Sequence, residues 1–191
     1  MPSWIEFQLS CQGLYRLALL DRGFLRYFDG SAKGALRSFR LAVPLFPLAL
    51  WQVWLSIDET VPSPALYMFA KSVGYAYGWI LFPFIILVAA RLTNRYAEGP
   101  GCIAVYNWSS LLWAVLQLPA LVLATFGVAP DLAGLLSLAM FIASIVIEGF
   151  LLMVCLRIAL WQAAILVMTD VVLGQGVIWP ISTRLGCAPL A

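Results

Sequence analysis

Two carboxylates, Glu148 and Asp170, lie in the most apolar part of this chain. Between Asp131 and Trp179 the sequence has only one other charged residue, Arg157, set among Leu, Ile, Val, Ala, Met and Phe. An acid at membrane depth costs about 2.5–3.5 kcal/mol on insertion scales, so it marks either a functional site or a buried polar contact. A functional pair would exchange protons or bind a cation. A structural pair would hold helices together through hydrogen bonds, and the sequence favours this second interpretation.

The length of the apolar block predicts that it folds back on itself. About 20 residues at roughly 1.5 Å per residue already cross a ~30 Å hydrocarbon core, and the block has about twice that length. A hairpin turning just after Arg157 places Glu148 roughly 13 Å and Asp170 roughly 20 Å from the turn, at similar depth. Asn107 in the preceding span and Arg157 at the turn are further candidates for this intramembrane polar or proton site. One long helix is the alternative, because residues 150–173 contain neither Gly nor Pro.

The residue types needed for most catalytic and metal chemistry are missing or scattered. The chain has no histidine, which removes the commonest metal ligand and the usual neutral-pH general base. Its four cysteines form no CxxC pair, and no serine has an evident base or glycine-rich phosphate loop beside it. We therefore expect no enzyme activity, no metal site and no cofactor, and the net charge of +2 indicates no nucleic-acid partner.

Composition predicts an all-α, polytopic transmembrane bundle. Hydrophobic residues make up 63% of the chain, charged residues only 10%, and mean hydropathy is +0.96. Soluble domains have about 25% charged residues. Loop signals divide residues 41–179 into about five spans, and residues 180–191 form a short tail. The predicted spans are residues 41–57, 72–92, 102–127, 132–154 and 160–179.

The distribution of basic residues predicts the orientation. A cytoplasmic N-terminus puts nine of the 11 Lys and Arg residues on the inner side and leaves only Lys71 and Arg184 outside. Such an excess follows the positive-inside rule. We expect a multi-pass protein of the cell (inner) membrane, with the N-terminus cytoplasmic and the C-terminus outside.

Residues 1–40 are predicted to form an interfacial arm that contains an amphipathic helix. From a plausible N-cap at Ser31, the basic residues Lys33, Arg37 and Arg40 recur at helical spacing. Apolar residues recur on another face, namely Ala32, Leu36, Phe39 and Val43. This pattern predicts a helix on the anionic inner leaflet. For the segment upstream, a second surface-lying piece and a docking arm for a partner subunit are equally compatible with its composition.

Gly74 and Gly78 have the small-xxx-small spacing that allows two helices to approach closely. Packing within the monomer is the favoured interpretation of this pair. An interface with a partner subunit is the alternative.

Three local patterns stand out: Tyr27-Phe28-Asp29-Gly30 with Arg37-Ser38-Phe39, Tyr106-Asn107-Trp108-Ser109, and Thr169-Asp170-Val171-Val172-Leu173-Gly174. Together they resemble small five-span, Yip-like integral membrane proteins of bacteria. The resemblance implies a compact five-helix bundle with a cytoplasmic N-terminal region and no catalytic residues.

The sequence favours a non-catalytic accessory subunit or membrane-organising scaffold of a larger membrane complex. The interfacial arm, the glycine pair and the missing catalytic groups all support that hypothesis. The alternative is a small proton- or cation-coupled transporter or channel that uses Glu148 and Asp170.

Overall fold

The computed structural model describes residues 4–57 and 61–176, and within these ranges the chain is helical with no strands. Two short 3-10 helices, Arg22–Tyr27 and Phe39–Leu41, lie among the N-terminal helices. The α-helices are α1 (Trp4–Ala18), α2 (Ala32–Ser38), α3 (Ala42–Leu55), α4 (Pro64–Leu92), α5 (Gly99–Phe126), α6 (Pro130–Leu156) and α7 (Leu160–Gly176).

Four helical segments are long and apolar enough to cross a bilayer, which indicates a multi-pass membrane protein. They are Ala32–Leu55, which joins α2 to α3, together with α4, α5 and α6. The apolar helix α7 has 17 described residues, fewer than the roughly 20 needed to span a bilayer. The predicted tail at residues 180–191 and Trp179 lie outside the described residues.

Proline and glycine set most of the helix boundaries. Pro64, Pro100 and Pro130 occupy the first turns of α4, α5 and α6, where a missing N–H costs no hydrogen bond. Gly127 ends α5 with φ 62°, a left-handed conformation that favours glycine. The loop signals that separate the predicted spans, at residues 57–64, 91–101 and 127–131, thus coincide with breaks between helices. Helix α4 begins at Pro64, however, well before the predicted start at residue 72.

Helix α5 is the centre of the bundle and contacts α1, α2, α3, α4 and α6. Its first half supplies several fully buried side chains: Cys102, Ala104, Val105, Asn107 and Trp108. Facing them from α6 are Leu151, Leu152 and Leu156, which are inaccessible to solvent. Burial on several sides of one helix explains why α5 carries apolar residues around its circumference.

The N-terminal segment shares this core. Leu14, Leu17 and Phe24 belong to the same buried cluster as the α5 and α6 side chains. Phe24 packs on Phe150 of α6 with ring centroids 6.0 Å apart, and Phe7 approaches Trp108 at 6.1 Å. Residues 4–41 are therefore packed against the bundle.

Helix α2 has three faces, one more than the amphipathic pattern indicated. Gly34, Ala35 and Ser38 are buried toward the protein, a small-residue face that the sequence analysis did not single out. Leu36, from the predicted apolar face, is 72% exposed and points away from the core. The basic residues occupy the third face. The interfacial position expected for this helix remains a prediction.

The predicted lipid-binding basic residues differ in their contacts. Lys33 and Arg40 are exposed. Arg37 instead binds two acids, with its Nη2 2.6 Å from Asp29 Oδ2 and its Nε 3.3 Å from Glu6 Oε1. Arg37 thus links α1, α2 and the turn before α2.

Asp29 should make the N-terminal packing sensitive to acid. Hydrogen bonds from the Ser31 hydroxyl and amide, together with the charge of Arg37, hold the pKa of Asp29 below its ordinary value of 3.8. A lowered pKa stabilises the fold above the unfolded-state value, and the stabilisation is lost as pH falls through the folded-state value. We expect wild type to lose more thermal stability than Asp29→Asn between pH ~6 and pH ~3, measured by melting in detergent. An equal loss of melting temperature in the two proteins between pH ~6 and pH ~3 would contradict this expectation.

Candidate functional site

Glu148 and Asp170 meet inside the bundle, together with a tyrosine that the sequence analysis did not assign to them. The hydroxyl of Tyr106 on α5 donates to Asp170 Oδ2 on α7 at 3.1 Å. The carboxyl groups of Glu148 and Asp170 interact electrostatically with each other and with Tyr106. Three helices therefore contribute one titratable group each to a single cluster, which we call the acid site: Glu148, Asp170 and Tyr106.

The acid site depends on the break between α6 and α7. Arg157 ends α6 in a left-handed conformation, φ 52° and ψ 43°, without help from glycine. Gln162 stabilises the start of α7, because its Oε1 accepts from the Ala159 backbone N–H at 2.9 Å. The two segments are therefore separate helices, and the single-long-helix alternative is wrong. Packing of α7 against α6 places Asp170 beside Glu148.

Glu148 and Asp170 lie at similar distances from the turn between α6 and α7. Asp170 is ten residues into α7 and Glu148 eight residues before the end of α6, or roughly 15 and 12 Å along the helices from the same end of the bundle. Their depth in a bilayer remains a prediction.

Glu148 is a buried carboxyl group whose hydrogen-bond partner in the acid site is another acid, Asp170. The residue is 9% exposed, and its Oε1 is buried without a hydrogen-bond partner. In the described part of the chain, no ion pair joins Glu148 or Asp170 to a lysine or arginine. Two neighbouring carboxylates cannot both carry charge cheaply in a low-dielectric environment. A proton or another cation at the acid site would remove this conflict.

Asp170 also borders a cavity of about 230 Å³ between α4, α5 and α7. We call this space the central cavity. It is lined by Gly74, Tyr75, Gly78, Trp79, Tyr106, Asn107, Ser110 and Asp170. A smaller cavity of about 60 Å³ lies on the other side of the same glycines and is also bordered by Asp170. Gly78 in this lining is exposed, so the acid site borders a cleft that opens at the side of the bundle.

Gly74 and Gly78 line this space. A Cβ added to Gly78 would have no atom within 4 Å among the described residues, so none of the described helices presses against that position. Helices that meet at small-xxx-small positions normally approach until their backbones touch. Gly78 therefore faces open space, whereas the sequence favoured close packing of this residue within the monomer.

Asn107 connects the central cavity to the N-terminal region. Its Nδ2 donates to Ser38 Oγ at 2.9 Å, and the Ser38 hydroxyl in turn donates to the Ala35 carbonyl at 2.6 Å. The Asn107 Oδ1 is buried and has no partner. Asn107 is therefore both a tie between α5 and α2 and a source of an unsatisfied acceptor beside the cavity.

Arg157, which the sequence grouped with the acids, lies elsewhere. Its side chain is 70% exposed at the end of α6, and its Nε is 3.9 Å from Glu98 Oε1. Glu148 is nine residues away, roughly 13 Å along the helix. Arg157 thus contributes the turn between α6 and α7 without acting as a counter-ion for the acid site.

A polar stripe along α5 leads away from the acid site. Asn107, Ser110 and Gln117 recur at steps of three and seven residues, so they share one face of the helix. Ser110 borders both the central cavity and a second cavity of about 210 Å³. Gln117 borders that second cavity and a third one of about 350 Å³, which reaches Ser137 of α6. The polar groups that seemed dispersed in the sequence therefore follow a row of adjoining cavities.

The amide pair Gln52 and Gln117 stands between the second and third cavities. Gln52 Nε2 of α3 donates to Gln117 Oε1 of α5. Both residues line both cavities. The helical spacing of Asn107, Ser110 and Gln117 was the available sequence signal for this row. Nothing in the sequence indicated that Gln52 or Tyr106 would join it.

No protein-family model, curated protein or solved structure matches this chain. The acid site, the central cavity and the row of cavities along α5 are therefore the features of this chain that indicate a function.

Proposed function

We propose that this protein is a small membrane transporter in which Glu148 and Asp170 bind a proton or another cation during transport. The observation that carries the proposal is the buried pair of acids, Glu148 and Asp170, in which Glu148 Oε1 has no hydrogen-bond partner and Asp170 borders an open cleft. Intramembrane acids that face a cavity are typical of ion pathways and proton relays. Neither catalytic residues nor a cofactor are needed for this role.

The transport step follows from the electrostatics of two close acids. With one proton or monovalent cation the pair carries a single negative charge, and with a second it becomes neutral. Tyr106 donates to Asp170 and so favours the charged form of that carboxylate. Changes in occupancy would alter the charge at the centre of the bundle and thereby bias helix packing around the cavity.

The row of cavities along α5 supports an access route to this site. Asn107 and Ala124 border opposite ends of the row, about 25 Å apart along the helix. The third cavity lies at the end of the bundle where α3 ends and α6 begins. A cation entering there would pass the amide pair before it reached Asp170.

In this proposal the protein crosses the inner membrane five times and has its N-terminus in the cytoplasm. With α7 as the fifth span, the basic residues keep their excess on the inner side. Exposed Lys33 and Arg40 suit contact with anionic headgroups, whereas Arg37 already binds Glu6 and Asp29. The Yip-like resemblance stays a prediction.

Flux through reconstituted vesicles tests the proposed function. Purified protein would be placed in liposomes that contain a pH-sensitive dye, and pH, sodium and potassium gradients would be imposed separately. We expect at least one gradient to dissipate faster than in protein-free liposomes. Dissipation at the protein-free rate for all three gradients and for organic cations would contradict a transport role.

The accessory-subunit role is the second candidate, and the open space at Gly78 is the observation that favours it. A transmembrane helix of a partner could occupy the cleft formed by Gly74 and Gly78 on α4, using the close approach that small residues permit. Gentle extraction from native membranes followed by native mass analysis tests this candidate. A defined complex that Gly78→Leu disrupts supports it, and a chain that remains alone at native abundance argues against it.

A further inference from the structure

The wall of the central cavity combines aromatic rings with one carboxylate. Tyr75, Trp79 and Tyr106 contribute the rings, and Asp170 contributes the acid. Trp79 and Tyr75 are ring neighbours, with centroids 6.1 Å apart and planes inclined at 58°. A cation near aromatic faces is attracted by the ring quadrupole, and tryptophan gives the strongest such attraction.

The rings of this wall are held in place by contacts outside the cavity. The Tyr75 hydroxyl donates to the Ala42 carbonyl of α3 at 2.7 Å. The Tyr106 ring packs on the buried Phe82 with centroids 4.6 Å apart, while its hydroxyl is bonded to Asp170. Preorganised rings lose little conformational freedom when a ligand binds.

The size and the acceptors of the cavity define the ligand further. A volume of about 230 Å³ equals roughly eight water molecules at ~30 Å³ each, far more than one bare metal ion occupies. Gly74 and Gly78 maintain that volume on the α4 side because they lack side chains. The Asp170 carboxylate is an acceptor, which repels an anion and attracts a cation.

We propose that the central cavity binds a small organic ammonium ion, with its positive charge between Asp170 and the aromatic rings of Tyr75 and Trp79. This inference rests on the proposed function, because it names the class of cation that the acid site would transport. The aromatic wall accepts the alkyl groups of the ligand, and the carboxylate neutralises its charge. An uncharged molecule of the same bulk would leave the buried acid without a counter-ion.

Calorimetric binding to the full chain in lipid nanodiscs tests the proposal, with tetramethylammonium as the probe and neopentyl alcohol as an uncharged molecule of similar bulk. We expect wild type to bind tetramethylammonium and not the alcohol. Trp79→Leu should weaken binding roughly tenfold, because a desolvated cation–π contact contributes about that factor. Trp161→Leu, at an exposed tryptophan of α7, is the matched control and should bind as wild type does.

Gly78→Leu provides a second variant that does not depend on removing a ring. A side chain at this position meets no neighbouring atom and would extend into the cleft, so the protein should fold and lose tetramethylammonium binding. Circular dichroism and gel filtration verify the fold of each variant. The proposal would be overturned if folded wild type did not bind tetramethylammonium, or if it bound the alcohol equally well. Unchanged binding by both folded variants would also overturn it.

The outcome is separable from that of the transport proposal. Proton or metal-ion flux without tetramethylammonium binding would contradict the organic-cation site and would support the transport proposal. Tetramethylammonium binding without flux of any cation would support the organic-cation site and would contradict the transport proposal.

Discussion

Glu148→Gln and Asp170→Asn should each reduce cation-dependent flux by roughly tenfold or more, because a positioned proton-transfer group typically contributes at least that factor. Both substitutions preserve side-chain size and hydrogen-bonding capacity while removing the charge that attracts a proton or cation. Asp170→Asn also changes the acceptor of the Tyr106 hydrogen bond from a carboxyl to an amide oxygen. The helices should remain associated, since an amide can replace a protonated carboxyl group in their contacts.

Two control variants make the flux measurement specific. Asp131→Asn carries the same chemical change at an exposed residue in the first turn of α6 and should leave flux unchanged. Tyr106→Phe removes only the hydroxyl and should cause a smaller loss than Asp170→Asn. All variants would be reconstituted at equal protein-to-lipid ratio after their melting temperatures had been compared.

The structural interpretation of the acids predicts a different pattern. If Glu148 and Asp170 serve only as ties between helices, neutral variants should keep wild-type flux and change only stability. Hydrogen bonds of this kind contribute about 0.6 kcal/mol on average in membrane proteins. Wild-type flux in Glu148→Gln and Asp170→Asn would therefore remove both carboxylates from the transport mechanism.

Gly34→Ala should destabilise the folded protein by about 1–3 kcal/mol, although alanine is the better helix former. A Cβ at residue 34 would lie 2.6 Å from Asp29 Cγ and closer still to the Asp29 carbonyl oxygen. The carbonyl belongs to the backbone, and Asp29 is already held by Arg37 and by the Ser31 amide. The turn before α2 would have to move, which would disturb the contacts of Arg37 as well.

Gly134→Ala is the matched control for this effect. Gly134 lies on an exposed face of α6, and a Cβ there meets no atom within 4 Å. This variant should melt at or slightly above the wild-type temperature, given a helix-propensity gain of up to about 1 kcal/mol. Thermal unfolding in one detergent compares the three proteins. Equal melting of Gly34→Ala and wild type would show that the turn yields easily and that the predicted clash is relieved.

The N-terminal region shows which features a helical sequence pattern can predict and which it cannot. The spacing of Lys33, Arg37 and Arg40 predicted an amphipathic helix; Lys33 and Arg37 lie in α2, and Arg40 lies in the 3-10 helix that follows it. It did not indicate that Ser38 would bond Asn107 across the bundle or that Arg37 would bind two acids. A periodic pattern identifies the faces of a helix, but it does not identify the neighbour that covers each face.

The boundary between α6 and α7 shows the same limit. The loops before α4, α5 and α6 could be predicted from glycine and proline, because these residues restrict or release the backbone in known ways. Arg157 ends α6 in a left-handed conformation that the residue itself disfavours, and packing of α7 stabilises the turn. The hairpin could be proposed from the length of the apolar block, whereas its exact turn depended on tertiary contacts.

The sequence by itself determined the all-helical class, the multi-pass membrane character and most loop positions. Hydropathy and helix rise suffice for these features, since both depend on local composition and length. Only the tertiary structure decided that Glu148, Asp170 and Tyr106 meet, that the glycines of α4 border a cavity, and that the polar residues of α5 follow a row of cavities. These features depend on how the helices are rotated about their axes and packed against one another, which hydropathy does not specify when every helix is apolar on several sides.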